Sequence, residues 1–398
     1  MTLFPTMEIG SLPKFSWRTR PFRGQEITDA DIALAKEWGD RLRVEETGDL
    51  LRLLSKRREF SSEDRDLILD YSIRYAIAMQ ERAGDEFGVP SGLDLLWTGE
   101  QARTEMYETP VSSISGFSFI GHVRSFDNKY WRMASVASRP RYLRNYHIDE
   151  FEVAKRRTAR TLKVPVTDAI TVMAWSDLHY YKKQYSRSSL PPSLRGFNAR
   201  RDFVLDLSKV IRRVIQELIS KGAQEVQLDI PAATQYQTPE DIKLVAEAFN
   251  VTTKGLSAKF SVHSCFPPRY GYQMLFPYIM EMKKCARFSF EYANGDGFDR
   301  GVTEESRPGY SDLKLFREYG YKGELGVGVI HVHTDRLPAV GTVADRALYA
   351  AKVTGMDPTK LFISPDCGLR TRSPSVAFSM LGLVIAGAAQ ARKEVGPE

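Results

Sequence analysis

The sequence has few cysteines and no long uninterrupted apolar run. Three cysteines in 398 residues are an odd number and too few for a disulfide framework, which excludes the small disulfide-stapled class. The first 30 residues lack the apolar core of a signal peptide. The longest apolar stretch, VAFSMLGLVIAGAA from Val376, is too short to cross a bilayer, and we interpret it as a buried last helix. We therefore expect a cytoplasmic protein with reduced thiols and no membrane partner.

The sequence also lacks a strong excess of charge of either sign. The formal net charge is +6, and no run of Lys or Arg is interleaved with aromatic residues, so nucleic-acid binding is not predicted. The mild basic excess favours anionic ligands or partners. A hydrophobic fraction of 42% is ordinary for a globular protein with a sizeable core.

Eight short apolar runs have the length and composition of buried strands, and helical patterns separate most of them. The runs are FPTMEIGS, LDLLWTGE, DAITVMAW, EVQLDIPA, KFSVHSC, RFSFE, LGVGVIHVH and LFISPDC. The segments between them, such as VLDLSKVIRRVIQELISKG, repeat apolar residues at helical spacing and end at Gly. This alternation predicts an α/β protein with a (β/α)8 TIM barrel. The rival, an open doubly wound sheet, would carry a glycine-rich first turn, which the sequence lacks.

Two segments depart from the strand–helix repeat. Residues from about Gly24 to Leu69 are charged and helix-like, and they delay the second strand. Residues from about Val111 to Pro140 alternate polar and apolar positions, which predicts a β-hairpin or excursion over the barrel top. No internal repeat or low-complexity linker divides the chain. We therefore expect a single barrel domain over residues 1–398, with the inserted hairpin at about 111–140.

The residues best suited to bind a metal lie at the ends of predicted strands. His263 and Cys265 are two positions apart, so they face the same way in an extended strand. Glu291 closes ARFSFE, and Cys367 closes LFISPDC just before the tight turn that Gly368 allows. Two thiolates, an imidazole and a carboxylate suit a tetrahedral zinc ion. Because the four ligands come from several strands, we expect the site at the barrel mouth.

This set of ligands indicates activation of a substrate thiol. The ligand set contains only one histidine, which argues against a hydrolytic site with an activated water. The alternative is that the four residues are unrelated and that Cys265 and Cys367 are small core hydrophobes. Cys285 has no such companions, and we assign it to the core.

Eight segments occur in an order that a known family shares, namely EIGSLP, WTGEQARTEM, ITVMAWS, VQLDIPA, VHSC, FSFE, GVGVIHVH and SPDCGLRTR. Together they resemble the catalytic half of cobalamin-independent methionine synthase. The resemblance covers nearly the whole chain, and PDCGLRTR together with HxC is its specific part. The family fold is a (β/α)8 barrel, in agreement with the strand count. Full-length homologues carry a second, N-terminal barrel for which this chain has no room, so we expect a core-only, archaeal-like member.

The resemblance implies a role for each matching residue. It implies that His263, Cys265, Glu291 and Cys367 bind zinc. The remaining residues are implied to contact the substrates: Ile9, Gly10 and Ser11 line the amino acid, Glu100 and Asp229 hold the ammonium of homocysteine, Trp175 forms an aromatic wall near the methyl donor, and His333 donates a proton to the leaving group. Structural alternatives remain for several of them: Ser11 could close a turn, Glu100 and Asp229 could pair with Arg103 or Arg372, and Trp175 could belong to the core.

The chain departs from the family pattern mainly on the side of the methyl donor. The departures are Thr98, Ile230, Gln235 and His331, and the segment RMASVASRP also matches poorly. The zinc ligands are intact. The donor therefore stays open between methylcobalamin and 5-methyltetrahydrofolate, and we favour a methyl-corrinoid, which a corrinoid protein could carry.

The resemblance implies zinc-dependent transfer of a methyl group to the thiol of homocysteine, giving methionine. One alternative is alkyl transfer to another thiol, such as coenzyme M, on the same zinc scaffold. A sulfonated acceptor would prefer Arg or Lys where Glu100 and Asp229 stand. The other alternative is a corrinoid- or metal-binding module without catalysis, against which the intact zinc ligands argue.

Overall fold

The structure is a computed structural model, and it describes residues 2–124, 130–235, 238–265 and 271–396. The strands are β1 Leu95–Leu96, β2 Ile114–Arg124, β3 Tyr130–Tyr142, β4 Thr161–Thr167, β5 Glu225–Asp229, β6 Lys259–Ser264, β7 Cys285–Phe290, β8 Glu324–Ile330 and β9 Leu361–Pro365. The α-helices are α1 Ser16–Phe22, α2 Asp29–Leu42, α3 Thr47–Leu54, α4 Ser62–Arg82, α5 Glu108–Ser112, α6 Ile148–Arg157, α7 Ala169–Ala174, α8 His179–Tyr185, α9 Pro192–Ser220, α10 Pro239–Thr253, α11 Leu313–Glu318, α12 Val340–Thr354 and α13 Pro374–Val395.

Seven parallel strands form the central sheet, in the order β1-β4-β5-β6-β7-β8-β9. The segment at the start of the chain joins the two edges of this sheet, because Thr6 bridges Ile363 in β9 and Met7 bridges Leu95 in β1, both in parallel. The sheet therefore closes on itself through this segment, with α-helices between most successive strands. The predicted α/β barrel is confirmed.

Two of the predicted strands need correction. The run FPTMEIGS contributes only the bridging residues Thr6 and Met7 rather than a full strand. The run DAITVMAW was wrongly predicted as a strand: it forms α7, and the strand is the preceding segment, β4. Asp168 caps α7, because its side chain accepts a hydrogen bond of 3.0 Å from the backbone N–H of Thr171. The apolar residues of α7 are buried on every side. The hydrophobic pattern of the run therefore shows no periodicity that distinguishes a helix from a strand.

The antiparallel pair of β2 and β3 leaves the barrel between α5 and α6 as a two-stranded hairpin. Its register runs from Ile114 opposite Tyr142 to Arg124 opposite Tyr130. Trp131, Ala134 and Val136 of β3 are buried, and Phe117 of β2 packs edge-on against Phe203 of α9 at 6.1 Å. The hairpin is therefore anchored on the outer helices of the barrel.

The interior of the barrel contains buried polar and charged side chains beside a small apolar cluster of Met7, Ile9, Leu95 and Phe362. On β5, the alternate residues Glu225, Gln227 and Asp229 are all buried. At the start of β7 the fully buried Arg287 forms ion pairs with Glu225 and, at 3.2 Å, with Glu324. These charges occupy the N-terminal end of the barrel. The C-terminal ends of the same strands then present the functional groups.

The last helix, α13, is long and apolar enough to cross a membrane by length and composition alone. However, 67% of its most apolar window is buried inside the protein. It packs against α12 and β9. It is the buried last helix that the run from Val376 predicts.

Candidate functional site

Three of the four predicted metal ligands come together at the C-terminal end of the barrel. The ligand atoms of His263, Cys265 and Cys367 all lie within 4.8 Å of one another. His263 belongs to β6, Cys265 follows β6, and Cys367 follows β9. His263 and Cys265 are buried, and Cys367 is half-buried. This is the spacing at which three side chains can share one metal ion.

The orientation of His263 suits a metal ligand. Its Nδ1 lies 3.1 Å from the backbone carbonyl oxygen of Ser289, so Nδ1 carries a proton and Nε2 is the nitrogen that can bind a metal. Nε2 is buried; burial lowers the pKa of His263, but the neighbouring Cys367 outweighs burial and raises this pKa overall. A metal ion would satisfy this buried nitrogen, and the carbonyl would hold the ring in place.

The two thiols differ in their affinity for a proton. A hydrogen bond from the Cys265 thiol and the neighbouring imidazole of His263 outweigh burial and lower the pKa of Cys367 to about 5. The pKa of Cys265 is raised well above its usual value by the same interaction with Cys367 and by burial. The pair therefore already holds one thiolate near neutral pH, which is the form that binds metal. The residues present fit a zinc ion.

Glu291 stands beside this cluster but is not part of the 4.8 Å group. Its carboxylate is buried and accepts a hydrogen bond of 2.7 Å from Asn294 Nδ2. The same Oε1 lies 3.2 Å from His333 Nε2. Burial lowers the pKa of His333, but the hydrogen bond to Glu291 and its charge outweigh burial, so the pKa is raised overall. Glu291 and His333 thus form a pair at the edge of the cluster.

A cavity of about 720 Å³ opens above the three metal-capable side chains. Every residue predicted to contact the substrates lines this cavity, namely Ile9, Gly10, Ser11, Glu100, Asp229, Trp175 and His333. Its size suits a small ligand bound next to a metal.

Glu100 reaches the cavity from an unusual backbone conformation. Gly99 and Glu100 both have positive φ, +63° and +56°, which is uncommon for a residue with a side chain. Glu100 Oε2 forms an ion pair of 2.5 Å with Arg103 Nη2, one of the pairings expected from the sequence. Burial raises the pKa of Glu100 to about 7, although the charge of Arg103 opposes this. A Cβ on Gly10 would lie 2.5 Å from Glu100 Oε1, so a side chain at this position would displace the Glu100 carboxylate.

A buried polar network positions Asp229 and the backbone of Ile9. Gln227 Nε2 donates to Asp229 Oδ1 and to the Ile9 carbonyl oxygen, both at 2.8 Å. Lys163 Nζ donates to the same carbonyl at 2.9 Å and to Gln227 Oε1 at 2.6 Å. Glu8 Oε1 lies 3.7 Å from Lys163 Nζ, and both side chains are almost fully buried. These residues fix one wall of the cavity from inside the barrel.

The opposite wall is aromatic. Trp175, at the C-terminal end of α7, lies 5.4 Å from Trp131 between ring centroids. Tyr107 packs against both rings, at 4.8 Å from Trp131 and 6.2 Å from Trp175. The sequence analysis missed Trp131 and Met133, which line the cavity from β3. The only sequence signal for these two residues was the alternation of polar and apolar positions in the hairpin.

The four departures from the family pattern lie in different surroundings. Thr98 is buried and donates a hydrogen bond of 2.5 Å to Glu150. Ile230 is fully buried in the core. Gln235 lines the cavity, and the ring of His331 lies 5.7 Å from that of His333. Only some of the departures therefore face the cavity. Cys285 packs against the core at the start of β7, at the opposite end of the barrel.

Comparison with known proteins identifies the family. Residues 45–390 match the family described as cobalamin-independent synthase, catalytic domain. The chain belongs to this family. It is 34% identical to a methionine synthase of Thermoplasma acidophilum over 303 residues, which cover 73% of this chain and 82% of that protein. It is 29% identical to a methionine synthase of Pyrococcus furiosus over 399 residues, which cover 100% of this chain and 96% of that protein.

A solved structure has the same fold. The B12-independent methionine synthase from Shewanella sp. W3-18-1, in complex with selenomethionine, superposes with a TM-score of 0.70, at 20% identity and with 99% of each chain covered. Family and relatives together make this chain a methyltransferase enzyme.

Proposed function

We propose that this enzyme transfers a methyl group to the thiol of homocysteine, giving methionine, and that it acts in the cytoplasm with zinc as its metal. One observation carries the proposal: three metal-capable side chains meet within 4.8 Å below a cavity that Glu100 and Asp229 also line. A thiol and an ammonium on one small molecule would meet complementary groups there. Family membership supports the same reaction.

We assign the metal to His263, Cys265 and Cys367, with Glu291 as the fourth and most weakly held ligand. The hydrogen bond from Asn294 and the contact with His333 compete for the Glu291 carboxylate, which suits a ligand that exchanges. When bound, zinc supplies Lewis acidity that lowers the pKa of a nearby thiol.

The carboxylates orient the acceptor. Asp229, fixed by Gln227, and Glu100 are placed to accept hydrogen bonds from its ammonium. Arg103 forms an ion pair with Glu100 and lies near the same part of the cavity. Its positive charge offsets the negative charge of Glu100, the second of the two acids. Two acids facing this cavity favour an ammonium over the sulfonate of coenzyme M, so homocysteine is the acceptor that we propose.

For the donor we propose a methyl-corrinoid in preference to 5-methyltetrahydrofolate. By the resemblance, family acids are replaced at Gln235 and His331 and the segment RMASVASRP matches poorly, whereas the zinc ligands are intact. A cobalt leaving group needs no proton, whereas the nitrogen of a folate donor does. His333 lines the cavity and would act as the acid only with the folate.

An assay of zinc-loaded protein tests this function. Homocysteine is offered with methylcobalamin and, separately, with 5-methyltetrahydrofolate, and methionine is measured. We expect turnover with methylcobalamin that His333→Ala largely retains. With a folate donor, loss of a general acid would cost ~10²–10⁴-fold. Turnover with the folate alone would overturn the donor assignment, and no methionine from either donor would overturn the function.

Replacing Asp229 by asparagine is expected to weaken homocysteine binding while zinc stays bound. The lost charge-assisted contact to an ammonium corresponds to roughly 1.5–3 kcal/mol, or about 10–150-fold in affinity. Calorimetric titration and metal analysis of the same sample measure both quantities. Asp40→Asn, on the exposed part of α2, is the control. Equal affinity in wild type and Asp229→Asn would remove Asp229 from the site.

The affinity for methionine is expected to depend on pH through Glu100. Methionine carries the same ammonium but no thiol that titrates. Because the pKa of Glu100 is raised to about 7, its carboxylate is mostly protonated below that pH and mostly ionised above it. Affinity should therefore rise by roughly ten-fold between pH ~6 and ~8. The folded state loses stability as pH rises from 4.5, the ordinary pKa of this group, to about 7, because the unfolded chain releases the proton first.

Titrations at several pH values, with wild type and Glu100→Gln side by side, measure this dependence. The variant should bind weakly at every pH and show a flat profile. A wild-type profile that is equally flat would contradict the role of Glu100, and so would a pH dependence that the variant retains.

A further inference from the structure

Two buried side chains hold the backbone of Glu291 at the end of β7. The N–H groups of three consecutive residues, Glu291, Tyr292 and Ala293, donate hydrogen bonds to these side chains, which come from distant parts of the chain. The N–H of Glu291 donates to the hydroxyl oxygen of Tyr272 at 3.0 Å. The N–H groups of Tyr292 and Ala293 donate to Oδ1 of Asp366 at 3.0 and 2.9 Å. Both acceptors belong to buried residues, so these hydrogen bonds are shielded from water.

Tyr272 connects the end of β7 with the end of β6. Its hydroxyl accepts the hydrogen bond from Glu291 and donates one of 3.2 Å to the carbonyl oxygen of Ser264. Ser264 stands between His263 and Cys265 in the chain, so the hydroxyl joins the segment of Glu291 to the segment of two metal-capable residues. The ring of Tyr272 stacks on the Phe290 ring, with centroids 4.3 Å apart, and this stacking fixes the place of the hydroxyl.

Asp366 connects the end of β7 with the end of β9. It directly precedes Cys367, and its own N–H donates to the carbonyl oxygen of Ile330 at 3.0 Å. Because β8 lies between β7 and β9 in the sheet, the carboxyl group has to cross β8 to reach the residues after β7. It crosses at Gly328, where a Cβ would overlap Oδ1 of Asp366. The glycine therefore leaves room for this connection.

The pairing of the strands does not reach the metal-capable residues themselves. The last paired residues are Phe290 on β7 and Pro365 on β9, and Glu291 and Cys367 lie beyond them. The hydrogen bonds of Tyr272 and Asp366 thus continue the connection between the strands where the ladder has ended. Buried partners next to metal ligands orient those ligands and raise the affinity for the metal.

We propose that Tyr272 and Asp366 are positioning residues of the metal site, which fix the backbone of Glu291 beside the three metal-capable side chains. This proposal rests on the metal assignment made above. With its backbone fixed, Glu291 needs to move only its side chain when its carboxylate exchanges.

Tyr272→Phe tests the role of the hydroxyl, because the variant keeps the stacked ring. Tyr321→Phe is the matched control: the Tyr321 hydroxyl also bonds to two backbone groups, the carbonyl oxygens of Ala286 and Glu324 at 3.0 and 3.2 Å, but at the opposite end of β7. Competition with a chromophoric chelator measures the zinc affinity of the full-length protein. Urea denaturation of the zinc-free protein measures the free energy of unfolding.

We expect the zinc affinity of Tyr272→Phe to fall by at least about ten-fold and that of Tyr321→Phe to match wild type. Wild-type zinc affinity in Tyr272→Phe would overturn the proposal. An equal loss of zinc affinity in Tyr321→Phe would also overturn it, because the effect would then follow from a general loss of stability.

Two variants of Asp366 separate its hydrogen bonds from its charge. Asp366→Ala removes the acceptor of both N–H groups and should lower zinc affinity by at least about ten-fold. Asp366→Asn keeps an oxygen that can accept them and should restore most of the affinity. An alanine variant with wild-type zinc affinity, or an asparagine variant as weak as the alanine variant, would contradict the role of Asp366.

Homocysteine binding gives a readout that general destabilisation would not move in the same direction. We propose Glu291 as the ligand that exchanges, so a weaker hold on its carboxylate should not oppose the substrate. Zinc-loaded Tyr272→Phe should therefore bind homocysteine at least as tightly as wild type, although its zinc affinity is lower. Weaker homocysteine binding in this variant would mean that the hydroxyl supports the cavity in general and would overturn the proposal.

The outcomes separate this proposal from the proposed function. Wild type without stoichiometric zinc contradicts the metal assignment and the positioning role together. Wild type that binds zinc and forms methionine, but whose zinc affinity is unchanged in Tyr272→Phe and Asp366→Ala, contradicts the positioning role alone.

Discussion

Replacing Cys367 with alanine is expected to abolish stoichiometric zinc binding and, with it, methyl transfer. Cys367 supplies the thiolate of the cluster, since its neighbours lower its pKa to about 5. Loss of an outer partner of a metal ligand already costs ~10–100-fold in metal affinity. Loss of the ligand itself should exceed that range. Elemental analysis after dialysis against a chelator, together with methionine formation, measures both effects.

Cys285→Ala is the matched control for this experiment. Cys285 is partly buried, and its thiol lies 3.3 Å from the backbone carbonyl oxygen of Arg287, at the other end of the barrel. This variant should keep one zinc per chain and normal turnover. Full zinc retention in Cys367→Ala would contradict the ligand assignment, as would loss of zinc in Cys285→Ala.

Replacing Lys163 with methionine is expected to destabilise the fold by ~3–5 kcal/mol, because it leaves Glu8 as an uncompensated buried acid. Lys163 is fully buried, and it also donates hydrogen bonds to Gln227 and to the Ile9 carbonyl. Burial already raises the pKa of Glu8, and removal of the Lys163 charge raises it further. Since stability is lost as pH rises through a raised pKa, the variant should suffer more at pH ~8 than at pH ~5.

Urea denaturation at the two pH values measures this loss. Lys36→Met, on the exposed face of α2, is the control and should leave stability unchanged. The double variant Glu8→Gln/Lys163→Met should recover part of the loss, because it removes the unpaired acid. A Lys163→Met variant as stable as wild type at both pH values would show that the buried pair does not support the barrel.

The barrel was predictable because most of its strands are short apolar runs with strand-like composition. The run EVQLDIPA corresponds to β5, and LFISPDC corresponds to β9. The run DAITVMAW could not be assigned correctly from sequence. It is buried on all sides as α7, and its cap at Asp168 follows directly on β4, so neither period nor boundary separates the two elements.

The group of metal-capable side chains could be predicted in part because parallel strands end at one edge of a barrel. That rule placed His263, Cys265 and Cys367 together, but it could not place Glu291, whose side chain depends on Asn294 and His333. The alternation of polar and apolar residues from about Val111 to Pro140 indicated a hairpin, but it did not indicate that Trp131 lines the cavity.

The buried polar network below the cavity also could not be predicted from the sequence. Lys163, Gln227 and Glu8 are far apart in the chain and are residue types that normally lie at the surface. They meet only because alternate positions of barrel strands point inward. Contacts of this kind require the closed barrel, which no local pattern describes.

The central claim is that His263, Cys265 and Cys367 hold a zinc ion that activates a substrate thiol. X-ray absorption at the zinc edge, measured with and without homocysteine, tests this claim most directly. The ligand assignment predicts two sulfur neighbours of zinc in the protein alone, from Cys265 and Cys367, and three after saturation with homocysteine. A sulfur count that stays at two on saturation, or protein that holds no stoichiometric zinc, would contradict the account.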